Sequence, residues 1–377
     1  MEYRVISGDS HIDMTWMPGD LWTQNAPRNL KDLVPRVVET DEGPKWRAEN
    51  KELGMFGGLG FLFNRPERGR SAHVDAMFDA GFYEGGPHPT TPSLRLQDMA
   101  IDGVDAEVLY GVLGVGLLFE SKELTQYVYQ IYNDWVAGFC DSEPGRWAAL
   151  ACIPNHDPQL AVQELRRSAK LGLKGADFAV SNAVKPIYHR DWDVLWSAAA
   201  ECQMPISFHT LGLKPREPQA SELQDYEGQY EVVKNSMFQL GGVESLSSIL
   251  ASGACERYPG FQFVLGECGI SWIPFVLVRL DLAHKDRLGD MALHLENRPS
   301  DLWRRHGFST FQIEETVPDI IGLVGEDNVL WGSDYPHPDG IWPWSKSVLR
   351  DQLGRLDDNV FKKLTRDNAG KLYRFLT

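Results

Sequence analysis

"YRVISGDSHIDM", residues 3–14, begins as an apolar run and closes on Asp9, His11 and Asp13, polar side chains at every second position. Alternate side chains of an extended strand share a face, so all three could point the same way. The run either ends in a polar turn, where Asp and Ser are common, or delivers ligands to the mouth of a buried strand. The choice depends on whether other strands end in the same manner.

Seven more short apolar runs follow: "AEVLYG" (106–111), "WAALACIP" (147–154), "GLKGADFAV" (172–180), "MPISFHT" (204–210), "FQFVLGE" (261–267), "STFQIE" (309–314) and "NVLWGSD" (328–334). Such runs suit strands covered on both faces. Amphipathic stretches at 121–142, 158–171, 191–202, 243–257, 270–288 and 343–354 lie between them, and 357–375 reads as a terminal helix. Strands alternating with helices predict right-handed crossovers and a parallel sheet, and eight of them predict a (β/α)8 barrel. An open doubly wound sheet is the alternative.

The alternation fails once, over about 14–92, where "GGLGFLFN", "NRPERGR" and "EGGPHPTTP" are rich in Gly, Pro and Arg. A loop this long is functional or disordered, and Trp22, Trp46, Phe56, Phe61, Phe63 and Phe82 argue for order. We expect one domain, 1–377, with 14–92 inserted after the first strand to cap the C-terminal mouth of the barrel. A second irregular stretch, 211–242, is expected to join that lid.

The chain has 377 residues and a net charge of −16, with 53 acids against 37 bases. That balance disfavours nucleic acid and anionic membranes as partners, both of which select clustered Lys and Arg. Cys140, Cys152, Cys202, Cys255 and Cys268 are scattered without a CxxC motif, as expected of free thiols in a reducing cytoplasm. The N-terminus reads as a strand rather than a signal peptide, and no run reaches the length of a membrane span.

Returning to the strand ends, the first carries Asp9 and His11, the fifth His209, the sixth Glu267 and the eighth Asp334. Charged groups at the ends of buried strands are costly unless paired or metal-bound. A divalent cation would stabilise the set through two carboxylates and two imidazoles. Each residue has a plainer alternative: a turn or helix cap for Asp9 and His11, a satisfied core histidine for His209, a helix cap for Asp334. The "SDYPHP" after the eighth strand does not start a helix directly, which favours a ligand role for Asp334.

"DSH", "FHT", "GECGISWIPFVLVRLD" and "LWGSDYPH" together resemble the amidohydrolase superfamily. The resemblance is to the branch containing aminocarboxymuconate semialdehyde decarboxylase and the non-oxidative aromatic-acid decarboxylases. "SLRLQDMAIDGVDAEVLYG" and "YNDWVAGFCDSEPGRWAALACIPNHDP" extend it over nearly the whole chain. It implies one metal ion, Zn2+ or Mn2+, held by Asp9, His11, His209 and Asp334. The acid-x-His opening is similar to the aromatic decarboxylases, whereas Glu267 stands where relatives often carry His. We expect Asp334, Glu267 and His337 to serve catalysis, with Glu267 alternatively orienting His209 and His337 alternatively a loop histidine.

Asp13 lies beyond the matched pair and is left unassigned. Arg65, Arg68 and Arg70 are candidates for a carboxylate clamp, or a solvated basic loop. Lys174 precedes the end of its strand, which argues against a lysine bridging two metals. The favoured reading is decarboxylation of a small aromatic or conjugated carboxylic acid. Hydrolysis of an amide, lactone or C–C bond is the alternative, and a non-catalytic metal- or ligand-binding barrel is the reading from another class. The resemblance further implies a homo-oligomer, a dimer or larger, with the 270–288 helix as a candidate interface.

Overall fold

A computed structural model describes residues 2–57, 72–82, 84–213, 215–217, 219, 223, 225–287 and 294–376. Arg65, Arg68, Arg70, Phe61 and Phe63 lie outside the described residues. The first strand, β1 (Ile6–His11), is buried at every position. A small antiparallel sheet follows, β2 (Arg36–Thr40), β3 (Gly43–Ala48) and β4 (Lys51–Met55). The remaining strands are β5 (Ala106–Tyr110), β6 (Trp147–Cys152), β7 (Gly175–Asp177), β8 (Ile206–His209), β9 (Phe263–Gly266), β10 (Gly307–Phe311) and β11 (Val329–Trp331).

β1 and β5–β11 form one eight-stranded sheet in the order β1-β5-β6-β7-β8-β9-β10-β11. All its pairings are parallel. This is the expected barrel, not the open doubly wound sheet. Between β1 and β11 there is no ladder; the two are joined just beyond β11. His11 N–H donates to the Tyr335 carbonyl at 2.7 Å and Asp334 N–H to the Asp9 carbonyl at 2.9 Å. Ser7, Ser10 and Ser333 add a buried hydroxyl cluster, with Oγ–Oγ distances of 3.0–3.3 Å.

Two glycines allow this approach. A Cβ on Gly332 would stand 2.5 Å from the Asp9 Cβ, and one on Gly8 would stand 2.9 Å from the Leu330 Cβ. Contacts that close are not sustained by ordinary side chains, so both positions need a bare backbone.

Two of the helices that cover the barrel show side-chain caps. Ser121 caps helix Lys122–Asp141 by accepting from Leu124 N–H. Asp157 caps Pro158–Lys170 by accepting from Gln159 and Leu160 N–H, with Pro158 in the first turn. The terminal stretch is broken into Asp358–Lys362, a π turn at Lys363–Asp367, and Asn368–Leu372. The stretch read as irregular, 211–242, contains helix Glu227–Phe238, which buries none of its residues. No helix among the described residues is long and apolar enough to cross a membrane.

The described parts of the segment between β1 and β5 fold onto the barrel through their aromatics. Trp22 and Trp46 are fully buried, ring edge to face at 5.4 Å, and Trp22 Nε1 donates to the Val128 carbonyl on the neighbouring helix. Phe82 packs against Trp16, Tyr335 and Trp342. Helix Pro92–Asp102 then leads into β5, ending on Gly103 in the left-handed region.

Candidate metal centre

The C-terminal ends of β1, β8, β9 and β11 bring Asp9, His11, His209, Glu267 and Asp334 together, all buried or nearly so. His11 Nε2 lies 3.4 Å from Asp9 Oδ1 and 3.1 Å from Asp334 Oδ1. His209 Nε2 lies 3.8 Å from Asp9 Oδ1 and 3.6 Å from Glu267 Oε2. Ligands held about 2.1 Å from a common tetrahedral centre stand about 3.4 Å apart. The spacing of these atoms therefore suits a single cation.

The hydrogen bonds around the cluster turn one atom of each group inward. His209 Nδ1 pairs with the Thr210 carbonyl at 2.9 Å, which protonates Nδ1 and leaves the Nε2 lone pair free. Asp9 Oδ2 accepts from Thr310 Oγ1 at 2.6 Å and from Glu267 N–H at 2.9 Å. Asp9 Oδ1, His11 Nε2, His209 Nε2 and both Asp334 carboxylate oxygens are buried without a hydrogen bond of good geometry. Buried polar atoms are rarely left so. Asp9, His11 and His209 offer ligand atoms within 4.8 Å of one another, and His11 forms a second such group with Asp334 and His337, an arrangement that fits a metal ion.

The electrostatics favour a neutral ligand at His209, and at His11 they show how strongly the carboxylates demand positive charge. Burial pushes the His209 imidazole down to about 4, against the opposing pull of Asp9, so it is neutral and able to ligate. Burial also works against charge on His11, but the Asp334 and Asp9 carboxylates hold it up at about 8. Burial opposes ionisation of Asp334 as well; His337 and His11 overcome this and hold the carboxyl well below its usual range. Burial, followed by the charge of Asp334, pushes Glu267 well above the ordinary carboxyl value. Crowded carboxylates at a buried site need a cation.

Beside the cluster, His337 Nδ1 lies 2.9 Å from Asp334 Oδ1, and its Nε2 lies 3.4 Å from Asp13 Oδ2. Its ring stacks on His11 at 4.0 Å between centroids. Burial disfavours the imidazolium, yet Asp334 and Asp13 raise its pKa well above the usual value. Asp13, unassigned in the sequence, is thus the outer partner of His337. Its position two residues past His11, in the same alternation, was the available signal.

Glu267 and Asp334 both adopt left-handed backbone, with φ of 51° and 56°. Non-glycine residues there are uncommon and concentrate at functional sites. Glu267 does not orient His209 through Nδ1, because Thr210 occupies that nitrogen. Asp177 closes β7 as a further buried carboxylate, pushed by burial to about 7, and the strand-end reading did not include it. Lys174 precedes β7 at the opposite end from Asp177.

Comparison with known proteins gives the same picture. The chain is 26% identical over 261 residues to the gamma-resorcylate decarboxylase of Rhodococcus jostii, covering 64% of this chain and 75% of that one. The crystal structure of an amidohydrolase from Mycobacterium avium subsp. paratuberculosis superposes with a TM-score of 0.74 at 19% identity, over 99% of this chain and all of that one. A dihydroxybenzoic acid decarboxylase from Polaromonas, crystallised with manganese and the inhibitor 2-nitroresorcinol, superposes at 0.63 and 17% identity, over 99% and 97% of the two chains. The family model described as Amidohydrolase matches residues 71–375, most of the chain. A barrel whose first and last strands meet at clustered Asp and His side chains, matched over that span, belongs to the amidohydrolase family of enzymes.

Proposed function

We propose that this amidohydrolase is a metal-dependent, non-oxidative decarboxylase of a small aromatic or conjugated carboxylic acid. The grouping of Asp9, His11 and His209, joined through His11 to Asp334, with Asp9 Oδ1, His11 Nε2, His209 Nε2 and the Asp334 carboxylate all lacking good hydrogen bonds, carries the reading. Its choice of reaction is supported by the resemblance to gamma-resorcylate decarboxylase and to a manganese-containing dihydroxybenzoic acid decarboxylase. Asp9, His11, His209 and Asp334 would hold the ion, with Mn2+ favoured over Zn2+ by the two carboxylates. When bound, a divalent cation supplies electrophilic stabilisation for negative charge developing on substrate oxygens.

The chain's own groups then handle the proton. His337, between Asp334 and Asp13, favours its protonated form. It holds a proton on Nδ1 at hydrogen-bonding distance from Asp334 Oδ1. That pair delivers the proton to the carboxyl-bearing carbon, where a π pair of the substrate forms the new C–H bond; the C–C bonding pair then stays on the substrate and restores its conjugation as CO2 departs. Glu267 is biased towards its neutral acid and serves as a hydrogen-bond donor to substrate oxygen. The segment between β1 and β5 serves as the lid over the mouth.

A homo-oligomer remains part of this proposal, with Phe275 and Val278 exposed on helix Ile273–Leu282 at the face a second copy would cover. The reaction is tested by incubating the Mn2+-loaded protein with a panel of hydroxylated aromatic acids, measuring CO2 release, with amides and lactones in parallel. Release of CO2 from at least one acid is expected. Turnover of amides or lactones without CO2 release from any acid overturns the proposal in favour of hydrolysis.

A further inference from the structure

Arg95, on helix Pro92–Asp102, has no exposed surface. Its Nε donates to Glu107 Oε2 on β5 at 2.7 Å, so the buried cation is paired. Its Nη1 donates to the main-chain carbonyl of His11 at 2.9 Å and to that of Pro89 at 3.0 Å. The guanidinium carbon stands 4.8 Å from the centroid of the Tyr335 ring. Tyr335 follows Asp334 directly and accepts the His11 N–H on its carbonyl. Its hydroxyl donates to Asp98 Oδ2 at 2.5 Å, and Asp98 in turn pairs with His88 at 2.9 Å.

One side chain therefore touches both segments that bring β1 and β11 together. It binds the backbone of His11 on one side and stacks on the residue after Asp334 on the other. These segments meet at a single parallel bridge, Ser10 to Tyr335, rather than along an extended ladder, so few backbone bonds hold their separation. A planar guanidinium can bond in its plane and stack on its face at once, which a lysine ammonium cannot do.

We infer that Arg95 is a positioning residue for the metal centre, setting the spacing of His11 and Asp334 from outside the cluster. The inference rests on the metal-site reading above. It predicts that losing the fork loosens the site more than the fold. Partners one step removed from a metal commonly contribute about 10- to 100-fold in affinity, and a loss of that size is expected here.

The test compares Mn2+ affinity, by titration followed with electron paramagnetic resonance, in the wild-type protein, Arg95→Lys and the double variant Arg95→Gln/Glu107→Gln. The double variant removes both buried charges together, so neither is left unpaired. Thermal melting in chelator checks the fold of each. Expected are folded variants with Mn2+ dissociation constants raised about 10- to 100-fold and broadened Mn2+ spectra. Folded variants whose affinity and spectra match the wild type overturn the inference. Should neither fold, Tyr335→Leu, which removes the stacking ring and keeps the Arg95–Glu107 pair, is measured with the same two outcomes. Failure of the wild-type protein to bind Mn2+ would instead overturn the metal-site reading.

Discussion

His11 and Asp334 approach to 3.1 Å, Nε2 to Oδ1, although they come from the first and last strands of the barrel. Their backbones are tied by the bonds from Asp334 N–H to Asp9 and from His11 N–H to Tyr335. Three of the four proposed metal ligands, Asp9, His11 and Asp334, therefore also line the closing seam, whereas His209 stands on β8. Changing the backbone at the seam should therefore disturb metal binding and barrel closure together, whereas an isosteric side-chain change should affect the metal site alone.

Asp334 both faces the ligand cluster and pairs with His337. Asp334→Asn keeps the shape and removes the charge. We expect kcat to fall by at least about 100-fold, the lower range for loss of a proton-transfer group, with the circular dichroism spectrum unchanged. Steady-state kinetics on the acid that releases CO2 checks this, and near-normal turnover would remove Asp334 from the mechanism.

Elemental analysis of protein purified without chelator should show about one transition metal per chain. A ligand present at 100 times its Kd stabilises the folded state by about 2.7 kcal/mol. Melting with saturating Mn2+ should therefore occur several degrees higher than melting in chelator. Equal melting temperatures, together with absence of metal, would leave the converging side chains without their proposed occupant.

Gly332 is predicted to resist substitution for a local reason. A Cβ there would meet the Asp9 Cβ at 2.5 Å and the Asp9 amide nitrogen at 3.1 Å. Gly332→Ala must push β1 and β11 apart, at about 1–3 kcal/mol by analogy with overpacked cores. Chemical denaturation should show that loss, and isothermal titration should show weaker Mn2+ binding. Retention of both would mean that the seam yields more easily than its packing indicates.

Asp102 offers a pH test away from the metal. Its carboxylate is buried and accepts from Ser345 N–H and Oγ; burial nevertheless pushes its pKa up to about 6, from an ordinary value of 3.8. With the folded value raised, the folded state binds more protons than the unfolded chain between these limits. Stability from this group is thus greatest below about pH 4 and falls as pH rises through 6, by about 3 kcal/mol in all. Asp102→Asn should flatten that part of the stability–pH curve, as read from urea midpoints between pH 4 and 7. An unchanged slope would show that Asp102 titrates normally.

Much of the barrel was legible because its strands are short, apolar and closed by charged groups, a pattern without a simple surface explanation. Asp9, His11, His209, Glu267 and Asp334 were found in this way, and the structure brings all five together. The β2–β4 sheet was not legible: its strands are half exposed and mix charges with Gly and Pro, so no alternation marks them. Arg95 was equally hidden. An arginine in an amphipathic stretch reads as a solvated side chain, and only its long-range partners Glu107, His11 and Tyr335 show that it is buried. Asp13 stayed unassigned because His337, its partner, is remote in sequence.

The seam also bears on the order in which the molecule is made. Asp9 and His11 leave the ribosome early, whereas Asp334 emerges only after every other barrel strand has been synthesised. Contacts so distant along the chain form late and slowly. Incorporation of metal would then mark ring closure rather than the folding of any local element. Stalled chains ending before β11 could retain most of the hydrophobic core and still lack a complete coordination shell.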